Sequence, residues 1–313
     1  MDYQPVLIIV GPTAVGKSAV GIELAKLIDG EIISGDSMQV YKDMDIGTAK
    51  VPVEQRQGIP HHLLDIISPE EEFSVALFET LAEAKIKDIY ARNKKPIIVG
   101  GTGLYIKALT HTYDFTPFAV DWQWRKSKEK EATLRGTEAL WQELAAIDPV
   151  TANKLHPNDL KRIIRALEVY HFTGKPISYY QEKSRQKGLK RKYLMYALTA
   201  SREKLYERIN LRVEQMLASG WIEEAQHLLD KYNLSNTASQ AIGYKQIFSY
   251  LRGEITYLQM VEDIKTATRR YAKRQLTWLR QEENINWLDV TEQSIHDISK
   301  KIAQEAAGLW AKM

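Results

Sequence analysis

Short apolar runs alternate with helical patterns along most of this chain. Six apolar runs predict β-strands, at residues 6–10, 31–34, 63–67, 97–99, 193–198 and 285–288. Helical periodicity fills most of the intervals, and one predicted helix begins after Ser74, a suitable N-cap, and runs to about residue 93. Strands that alternate with helices predict an α/β fold with a mainly parallel sheet and helices on both faces. In such sheets, ligands bind beyond the carboxyl ends of the strands.

The strand pattern stops between residues 113 and 192. This stretch is polar and helical, and it contains turn signals such as Thr173-Gly174-Lys175-Pro176. It predicts a helical insertion domain at 113–192, placed between two strands of a core that is formed by residues 1–112 and 193–313. Two further helices are predicted in the second part of the core, at about 202–218 and 221–232.

A long helix is predicted at about residues 256–280. Its apolar positions recur at steps of three, four or seven, and they are Met260, Ile264, Ala267, Tyr271 and Trp278. At about 100° per residue, the opposite side carries only basic side chains, which are Lys265, Arg269, Lys273 and Arg280, with Arg270 and Arg274 at its flanks. A solvated face usually mixes both signs of charge, so this pattern favours a face that binds an anion.

Composition narrows the class of protein. The length of 313 residues favours about two domains. The absence of cysteine excludes disulfides and thiolate metal sites, and it favours a reducing, cytoplasmic location. No run approaches the ~20 apolar residues of a membrane span, so we expect no association with a membrane.

Charge is unevenly distributed, although the net charge is only +3. Residues 1–110 contain 11 basic and 15 acidic residues, whereas the rest of the chain contains 32 basic and 25 acidic residues. Two stretches are strongly basic: 161–192 has ten basic and two acidic residues, and 265–280 has six basic residues and no acidic one. Such stretches indicate a polyanionic partner.

The strongest motif follows the first apolar run. Residues 11–18 fit G-x-x-x-x-G-K-[ST], the phosphate-binding loop, in the order of strand, loop and helix that the motif requires. The loop consists of Gly11, Pro12, Thr13, Ala14, Val15, Gly16, Lys17 and Ser18. Backbone N–H groups and the helix N-terminus attract phosphate oxygens, Lys17 adds a positive charge, and the Ser18 hydroxyl can hold Mg²⁺. The motif predicts a bound di- or triphosphate, for which ATP or GTP is the usual occupant.

The carboxylates near this loop do not match a simple ATPase. The strand at 97–99 is followed by Gly100-Gly101-Thr102-Gly103 and not by the Asp that usually holds Mg²⁺. Asp36 instead follows the strand at 31–34, where it can be a Mg²⁺ ligand, as in a kinase, or a base for an incoming nucleophile. Group transfer is therefore favoured over ATP hydrolysis.

Two other features fit a site for substrates. The Thr102 hydroxyl can bind a substrate, and the glycines around it permit the close approach of a ligand. Arg208 and Arg212 lie one helical turn apart, where they can clamp a phosphate or pair with Glu207 and Glu214.

Taken in order, these motifs resemble the tRNA dimethylallyltransferases, also called isopentenyl-tRNA transferases. The resemblance runs from residue 6 to about residue 280. It includes Gly-Pro-Thr-Ala-Val-Gly-Lys-Ser (11–18), Ser-Gly-Asp-Ser-Met-Gln-Val-Tyr (34–41), Met-Asp-Ile-Gly-Thr-Ala-Lys (44–50), His-His-Leu-Leu-Asp (61–65), Val-Gly-Gly-Thr-Gly-Leu-Tyr (99–105), His-Pro-Asn-Asp (156–159), Arg-Ile-Ile-Arg-Ala-Leu-Glu (162–168), Ile-Gly-Tyr-Lys-Gln (242–246) and Ala-Lys-Arg-Gln-Leu-Thr-Trp-Leu-Arg (272–280). The absence of cysteine fits a bacterial-type member, because eukaryotic relatives often append a zinc-binding module.

The resemblance implies a P-loop NTPase-like core that transfers a dimethylallyl group. The donor would be dimethylallyl diphosphate, and the acceptor would be the exocyclic N6 amine of the adenosine 3′-adjacent to the anticodon of a tRNA. Residues 11–18 would cradle the diphosphate, with Mg²⁺ on Ser18. Lys17 and Arg212 would stabilise the leaving group, Asp36 would take the amine proton, and Thr102 would hold the adenosine.

The resemblance also implies the residues that contact the tRNA anticodon stem-loop. They are Asp36, Ser37, Met38, Gln39, Thr102, Arg125, Lys161, Arg162, Arg165, Gly243, Tyr244, Lys245, Gln246, Arg269, Arg270, Lys273 and Arg274. Many of them lie in the two basic stretches. We expect the enzyme to be a monomer. Two other functions remain open: a P-loop kinase of a small molecule or nucleotide, and an RNA-binding protein that uses the loop as a nucleotide switch.

Overall fold

The computed structural model of the chain describes residues 3–112 and 120–310. Within these residues, six parallel strands form one sheet in the order β3-β2-β4-β1-β5-β6. The strands are β1 (Tyr3–Val10), β2 (Gly30–Gly35), β3 (His61–His62), β4 (Lys95–Gly100), β5 (Arg191–Thr199) and β6 (Asn286–Asp289). The predicted α/β fold with a parallel sheet and flanking helices is confirmed.

Helices connect the strands and extend the chain beyond the sheet. Along the described residues they are α1 (Lys17–Ile28), α2 (Val75–Ala91), α3 (Gly103–Thr110), α4 (Trp122–Arg135), α5 (Thr137–Ile147), α6 (Pro149–Ala152), α7 (Leu160–Thr173), α8 (Ile177–Lys187), α9 (Arg202–Ala218), α10 (Trp221–Lys231), α11 (Asn236–Ser239), α12 (Tyr244–Leu251), α13 (Tyr257–Leu279) and α14 (Ile295–Trp310). The predicted N-cap of α2 is confirmed, because the Ser74 hydroxyl accepts a hydrogen bond from the Leu77 N–H at 3.2 Å. Among the described residues, no helix combines the length and the apolar character that crossing a membrane requires.

The chain divides into two compact units, Met1–Thr110 with Arg191–Met313, and His111–Lys190. The second unit contains α4 to α8 around a core of its own, whose buried side chains include Leu140, Leu144, Ile163 and Leu167. The start of the predicted insertion, residue 113, lies outside the described residues. Each unit therefore has its own apolar core.

The first apolar run forms β1, which lies inside the sheet and is covered on both faces. Val6, Ile8 and Val10 belong to one apolar core, whereas Leu7 and Ile9 belong to the other. Because successive side chains of a strand point to opposite faces, a strand covered on both sides needs an uninterrupted apolar run. This burial holds the end of β1 in place, and the phosphate loop begins there.

The predicted strand at 63–67 is wrong. β3 ends one residue before this run, and Leu63 and Asp65 have left-handed backbones, with φ of 62° and 55°. A strand cannot continue through that conformation. The N–H of Ile66 donates to the carbonyl of Val40 at 2.8 Å, in a loop. The apolar side chains of this run are thus covered by loop packing and not by strand pairing.

Candidate active site

A cavity of about 330 Å³ lies in the first unit, beyond the carboxyl ends of β1, β2 and β4. Its wall contains Lys17 and Ser18 from the loop after β1, Asp36 from the loop after β2, and Arg212 from α9. Helix α13 contributes Thr268, Tyr271 and Arg274. Parallel strands bring their carboxyl ends to one edge of the sheet, and for this reason residues that are distant in the sequence share one cavity.

Local backbone geometry shapes the phosphate loop. A Cβ on Gly11 would lie 2.6 Å from the carbonyl oxygen of Leu198 in β5, so only glycine fits at the point where β1 ends. Gly16 has φ of 102°, a left-handed conformation that favours glycine, and α1 begins at the next residue. The N-terminus of α1 therefore meets the cavity, where its partial positive charge attracts anions.

The cavity wall carries one carboxylate, Asp36, and three cations, with Arg274 as the third beside Lys17 and Arg212. Burial, followed by the charge of Arg212, lowers the pKa of Lys17 to about 8, and Asp36 opposes this shift. Burial also lowers the pKa of Arg212, and Asp36 again opposes the shift. The Lys17 Nζ donates to the carbonyl of Pro12 at 2.8 Å. An anion bound between Lys17 and Arg212 would offset the repulsion between them and compensate for the hydration that each loses on burial.

The loop after β2 is tied to the turn after β4. Asp36 accepts a hydrogen bond at Oδ1 from the Met38 N–H at 2.8 Å, which closes a tight turn. The Ser37 N–H donates to Oγ1 of Thr102 at 3.1 Å. Ser37 therefore links the loop that contains Asp36 to the turn that contains Thr102. The Thr102 hydroxyl donates to Oγ of Ser37 at a long distance of 3.4 Å, so this side chain contacts the protein here.

Gln39 connects the same loop to two other segments. Its Oε1 accepts from the Ser34 hydroxyl at 2.9 Å, and its Nε2 donates to the Thr48 carbonyl at 3.1 Å. The amide of Gln39 therefore binds the protein's own chain, and the residue also lines the cavity, so its tRNA contact stays a prediction.

The glycines of the second glycine-rich turn make room for neighbouring protein segments. A Cβ on Gly100 would lie 2.3 Å from the backbone of β2, and one on Gly101 would lie 2.2 Å from Nε2 of Gln275. A Cβ on Gly103 would lie 2.3 Å from the ring of Trp278. Gly100 also lines the cavity, so the close approach of a ligand to this turn stays a prediction.

Arg212 and Arg208 are not equivalent. Only Arg212 is among the residues of the cavity wall. Glu214, the alternative partner suggested for these arginines, instead forms an ion pair with Lys265 of α13 at 2.8 Å. The anion-binding alternative therefore fits Arg212.

The predicted all-positive face of α13 is wrong in its first half. Lys265 pairs with Glu214 at 2.8 Å and with Glu262 at 3.5 Å. The Arg269 guanidinium donates to Asn210 at 2.7 Å, so the proposed tRNA contact of this residue competes with a contact inside the protein. The exposed basic residues of α13 lie further along the helix, and they are Arg270, Lys273 and Arg274.

A partly buried carboxylate, Glu224 of α10, holds the segment at residues 44–50. It accepts hydrogen bonds from the backbone N–H groups of Asp45, Ile46 and Gly47 at 2.9, 2.8 and 3.1 Å. The Tyr244 hydroxyl donates to the same carboxylate at 2.5 Å. Glu224 thus places this segment against the cavity, and neither spacing nor periodicity in the sequence signals it.

The predicted tRNA contacts at residues 243–246 need correction. Tyr244 is completely buried and lines the cavity, and Gly243 is also buried, so neither presents a side chain at the surface. Gln246 accepts the Gly243 N–H at 2.9 Å as part of the cap of α12. Lys245 is exposed. The motif at 242–246 therefore mainly builds the cavity wall.

In the second unit, Glu168 organises two of the predicted tRNA-binding arginines. It accepts Nε and one terminal nitrogen of Arg125 at 2.9 and 2.7 Å, and Arg165 at 2.6 Å. Burial by itself would raise the pKa of Glu168, but the hydrogen bonds from the two arginines lower it below its usual value. Lys161 and Arg162 are exposed on α7.

Sequence reasoning gives no individual role to Tyr271 or Gln275, although the resemblance places both in a stretch, residues 268–275, that touches tRNA. Tyr271 is part of the predicted apolar stripe, yet it lines the cavity, and burial together with the charge of Asp36 raises its pKa. Gln275 is buried and contacts both the phosphate loop and the second glycine-rich turn. A polar residue on the inner side of an amphipathic helix was the available signal for Gln275.

Known proteins resemble the chain over nearly its full length. The IPP transferase family matches residues 39–282. A tRNA dimethylallyltransferase of Carboxydothermus hydrogenoformans is 54% identical over 303 residues, which cover 97% of each chain. A tRNA dimethylallyltransferase of Geobacillus kaustophilus is 49% identical over 305 residues, which cover 96% of each chain.

Solved structures agree with these matches. The crystal structure of a full-length tRNA isopentenylpyrophosphate transferase from Bacillus halodurans has a TM-score of 0.72 and 43% identity, and it covers 98% of this chain and 97% of its own. A structure of a eukaryotic dimethylallyltransferase acting on tRNA has a TM-score of 0.80 and 34% identity, and it covers 97% of this chain and 77% of its own.

We expect the affinity for inorganic diphosphate to fall as the pH rises through about 8, the pKa of Lys17 in the free protein. A bound anion favours the protonated amine, so loss of that proton weakens binding. Calorimetric titrations from about pH 6 to about pH 10 measure this dependence. Lys17→Arg is the control, because a guanidinium stays charged over this range and ionisation of the ligand affects both proteins equally. Parallel pH profiles for the two proteins would contradict the expectation.

Proposed function

This chain belongs to the IPP transferase family, the tRNA dimethylallyltransferases, and we propose that the cavity of its first unit is where the transfer takes place. The enzyme moves a dimethylallyl group from dimethylallyl diphosphate to the exocyclic N6 amine of the adenosine 3′-adjacent to the anticodon of tRNA, and it releases diphosphate. The observation that carries the assignment of the site is that the phosphate loop, Asp36 and Arg212 line one cavity.

The phosphate loop holds the leaving group. Residues 11–18 form the cradle of the diphosphate, with the backbone N–H groups of residues 14–18 as donors, and Lys17 and Arg212 approach the diphosphate from two elements. Negative charge grows on the diphosphate as its bond to carbon breaks, so cations fixed in advance stabilise the transition state more than the ground state. Burial lowers the pKa of Lys17, and a bound anion raises this pKa again, so Lys17 stays protonated in the complex.

The residues present fit a Mg²⁺ ion that is shared with the diphosphate. Ser18 lines the cavity at the first turn of α1, and among residues 3–112 and 120–310 no group of three or more His, Cys, Asp or Glu could bind a metal on its own. Ser18 would therefore supply the protein ligand, with diphosphate oxygens and water completing the set, as is usual for Mg²⁺. When bound, the ion neutralises charge on the leaving group.

Asp36 serves as the base for the acceptor amine. The N6 nitrogen forms a bond to the first carbon of the dimethylallyl group, the bond from that carbon to oxygen breaks, and diphosphate leaves with the electron pair. The amine proton passes to the Asp36 carboxylate, which Met38 and the bond from Ser37 to Thr102 keep in position. Thr102 donates its hydroxyl hydrogen to the adenosine from the neighbouring turn.

The apolar part of the wall receives the dimethylallyl group. Val213 and Met216 of α9, together with Trp221 and Tyr244, contribute apolar surface to the cavity wall. Such a surface excludes water from the carbon that is attacked, which limits hydrolysis of the donor. All these residues come from one chain, so we expect the enzyme to act as a monomer.

The exposed basic residues grip the tRNA. In the first unit they are Lys245, Arg270, Lys273 and Arg274, and in the second unit they are Lys161 and Arg162, with Arg125 and Arg165 supported by Glu168. The target adenosine must leave the stack of the anticodon loop, at a cost of roughly a few kcal/mol. Contacts with phosphates of the stem offset this cost.

Transfer is tested with tRNA, Mg²⁺ and dimethylallyl diphosphate labelled in its prenyl group, in the absence of ATP. We expect label in the tRNA, and we expect none in a matched stem-loop with guanosine at the target position, which lacks the N6 amine. A kinase would require ATP and leave the tRNA unlabelled. Confirmed binding of tRNA without label would refute transfer and favour an RNA-binding protein.

Replacement of Asp36 tests the base. Asp36→Asn keeps an oxygen that can accept the Met38 N–H, but it removes the proton acceptor, so we expect turnover to fall by about 10²–10⁴-fold. Affinity for tRNA, measured by filter binding, should remain within about twofold. Turnover near that of the wild type would exclude Asp36 as the base.

Replacement of Lys273 tests the tRNA surface of α13. Lys273→Ala should weaken tRNA binding and reduce the slope of log K against log salt concentration by about 0.7–0.9, the value for one phosphate contact. Lys265→Ala is the matched control on the same helix, because its ammonium is paired with Glu214. If both variants keep the slope of the wild type, α13 does not contact the tRNA backbone.

A further inference from the structure

Gln275 of α13 joins the two loops that carry the reacting groups. Its Oε1 accepts the backbone N–H of Thr13 in the phosphate loop at 2.9 Å, and its Nε2 donates to the backbone carbonyl of Gly101 at 3.0 Å. The side chain is only 7% exposed. Thr13 belongs to the same loop as Lys17 and Ser18, and Gly101 directly precedes Thr102.

The chemistry of this position selects an amide. One partner is an N–H donor and the other is a carbonyl acceptor, so the side chain must accept at one end and donate at the other, as Gln does. A carboxylate can accept the Thr13 N–H, but it would place an oxygen against the carbonyl oxygen of Gly101, which needs a donor. A thioether can replace neither hydrogen bond. Buried backbone groups left without a partner are costly, so the amide holds both loops firmly.

The surrounding residues leave little room for another arrangement. A Cβ on Gly101 would lie 2.2 Å from the Gln275 nitrogen, which shows how closely the turn approaches the amide. Trp278, one helical turn further along α13, packs in the same way against Gly103. Helix α13 thus contacts the second glycine-rich turn at two points and reaches the phosphate loop through Gln275.

We propose that Gln275 is a positioning residue that sets the distance between the diphosphate site and the adenosine site. It contacts neither substrate, and it acts by keeping Thr13 and Gly101 in register. A shift of the phosphate loop relative to Thr102 and Asp36 misaligns the bond that breaks with the amine that attacks. A displacement of about 1 Å in such a geometry can cost about 10²-fold in rate. This proposal rests on the function proposed above.

The test compares Gln275→Met with Gln259→Met. Both replace a Gln of α13 by an apolar side chain of similar length, but the Gln259 side chain is exposed and donates to Asp263 of the same helix at 2.8 Å. We expect Gln275→Met to lower kcat by about 10–100-fold, with the KM values for both substrates and the affinity for tRNA within about threefold. We expect Gln259→Met to keep the kcat of the wild type.

A second variant separates positioning from loss of folding. Gln275→Glu keeps the acceptor for Thr13 and loses the donor for Gly101, so we expect a kcat between those of wild type and Gln275→Met. All kcat values are expressed per functional site, counted by titration with inorganic diphosphate, which removes any effect of an unfolded fraction. This intermediate value decides the question if Gln275→Met does not fold.

The outcomes are distinct. A kcat per site within about twofold of the wild type for the folded Gln275 variants overturns the positioning role, as does an equal loss of kcat in Gln259→Met. If the wild type itself does not transfer label to tRNA, the proposed function fails, whatever the variants show. A loss confined to the Gln275 variants in an active enzyme supports the proposal.

Discussion

Two partly buried cations, Lys17 and Arg212, line one cavity with the carboxylate of Asp36, and Arg274 adds a third positive charge to the same wall. Burial lowers the pKa of Lys17 and of Arg212, and the charge of Asp36 opposes both shifts. The wall therefore has more positive than negative charge, and a bound diphosphate would balance it. Under the proposed function, the same cations would also stabilise the diphosphate as it leaves.

The rest of the first unit holds these charges in place against their mutual repulsion. β1 is buried on both faces by two apolar cores, so the start of the phosphate loop has no freedom to move. Gly11 lies so close to the carbonyl of Leu198 in β5 that a side chain would not fit, and α1 begins directly after Gly16. Packing of the sheet thus decides where the N-terminus of α1 points, and with it the potential that the anion meets.

Polar side chains from distant helices then join the loops around the cavity. Glu224 of α10 holds three successive backbone N–H groups of residues 45–47, and Gln275 of α13 holds the phosphate loop and the turn before Thr102. These contacts give partners to backbone groups of loops that have no regular secondary structure of their own. Helix α13, which carries the exposed basic residues, therefore contributes both to the cavity wall and to the loops around it.

Features that depend on neighbours along the chain can be predicted from the amino-acid sequence. The phosphate loop is recognisable because strand, glycines, Lys17 and helix are consecutive, and the cap at Ser74 and the uninterrupted apolar run of β1 are equally local. Which polar groups face each other depends on how the chain folds. Gln275 and Thr13 are 262 positions apart, and periodicity reports that a face is apolar without reporting what opposes it. For the same reason the strand predicted at 63–67 is a loop, and the pairing of Lys265 with Glu214 and of Arg125 with Glu168 does not follow from the sequence.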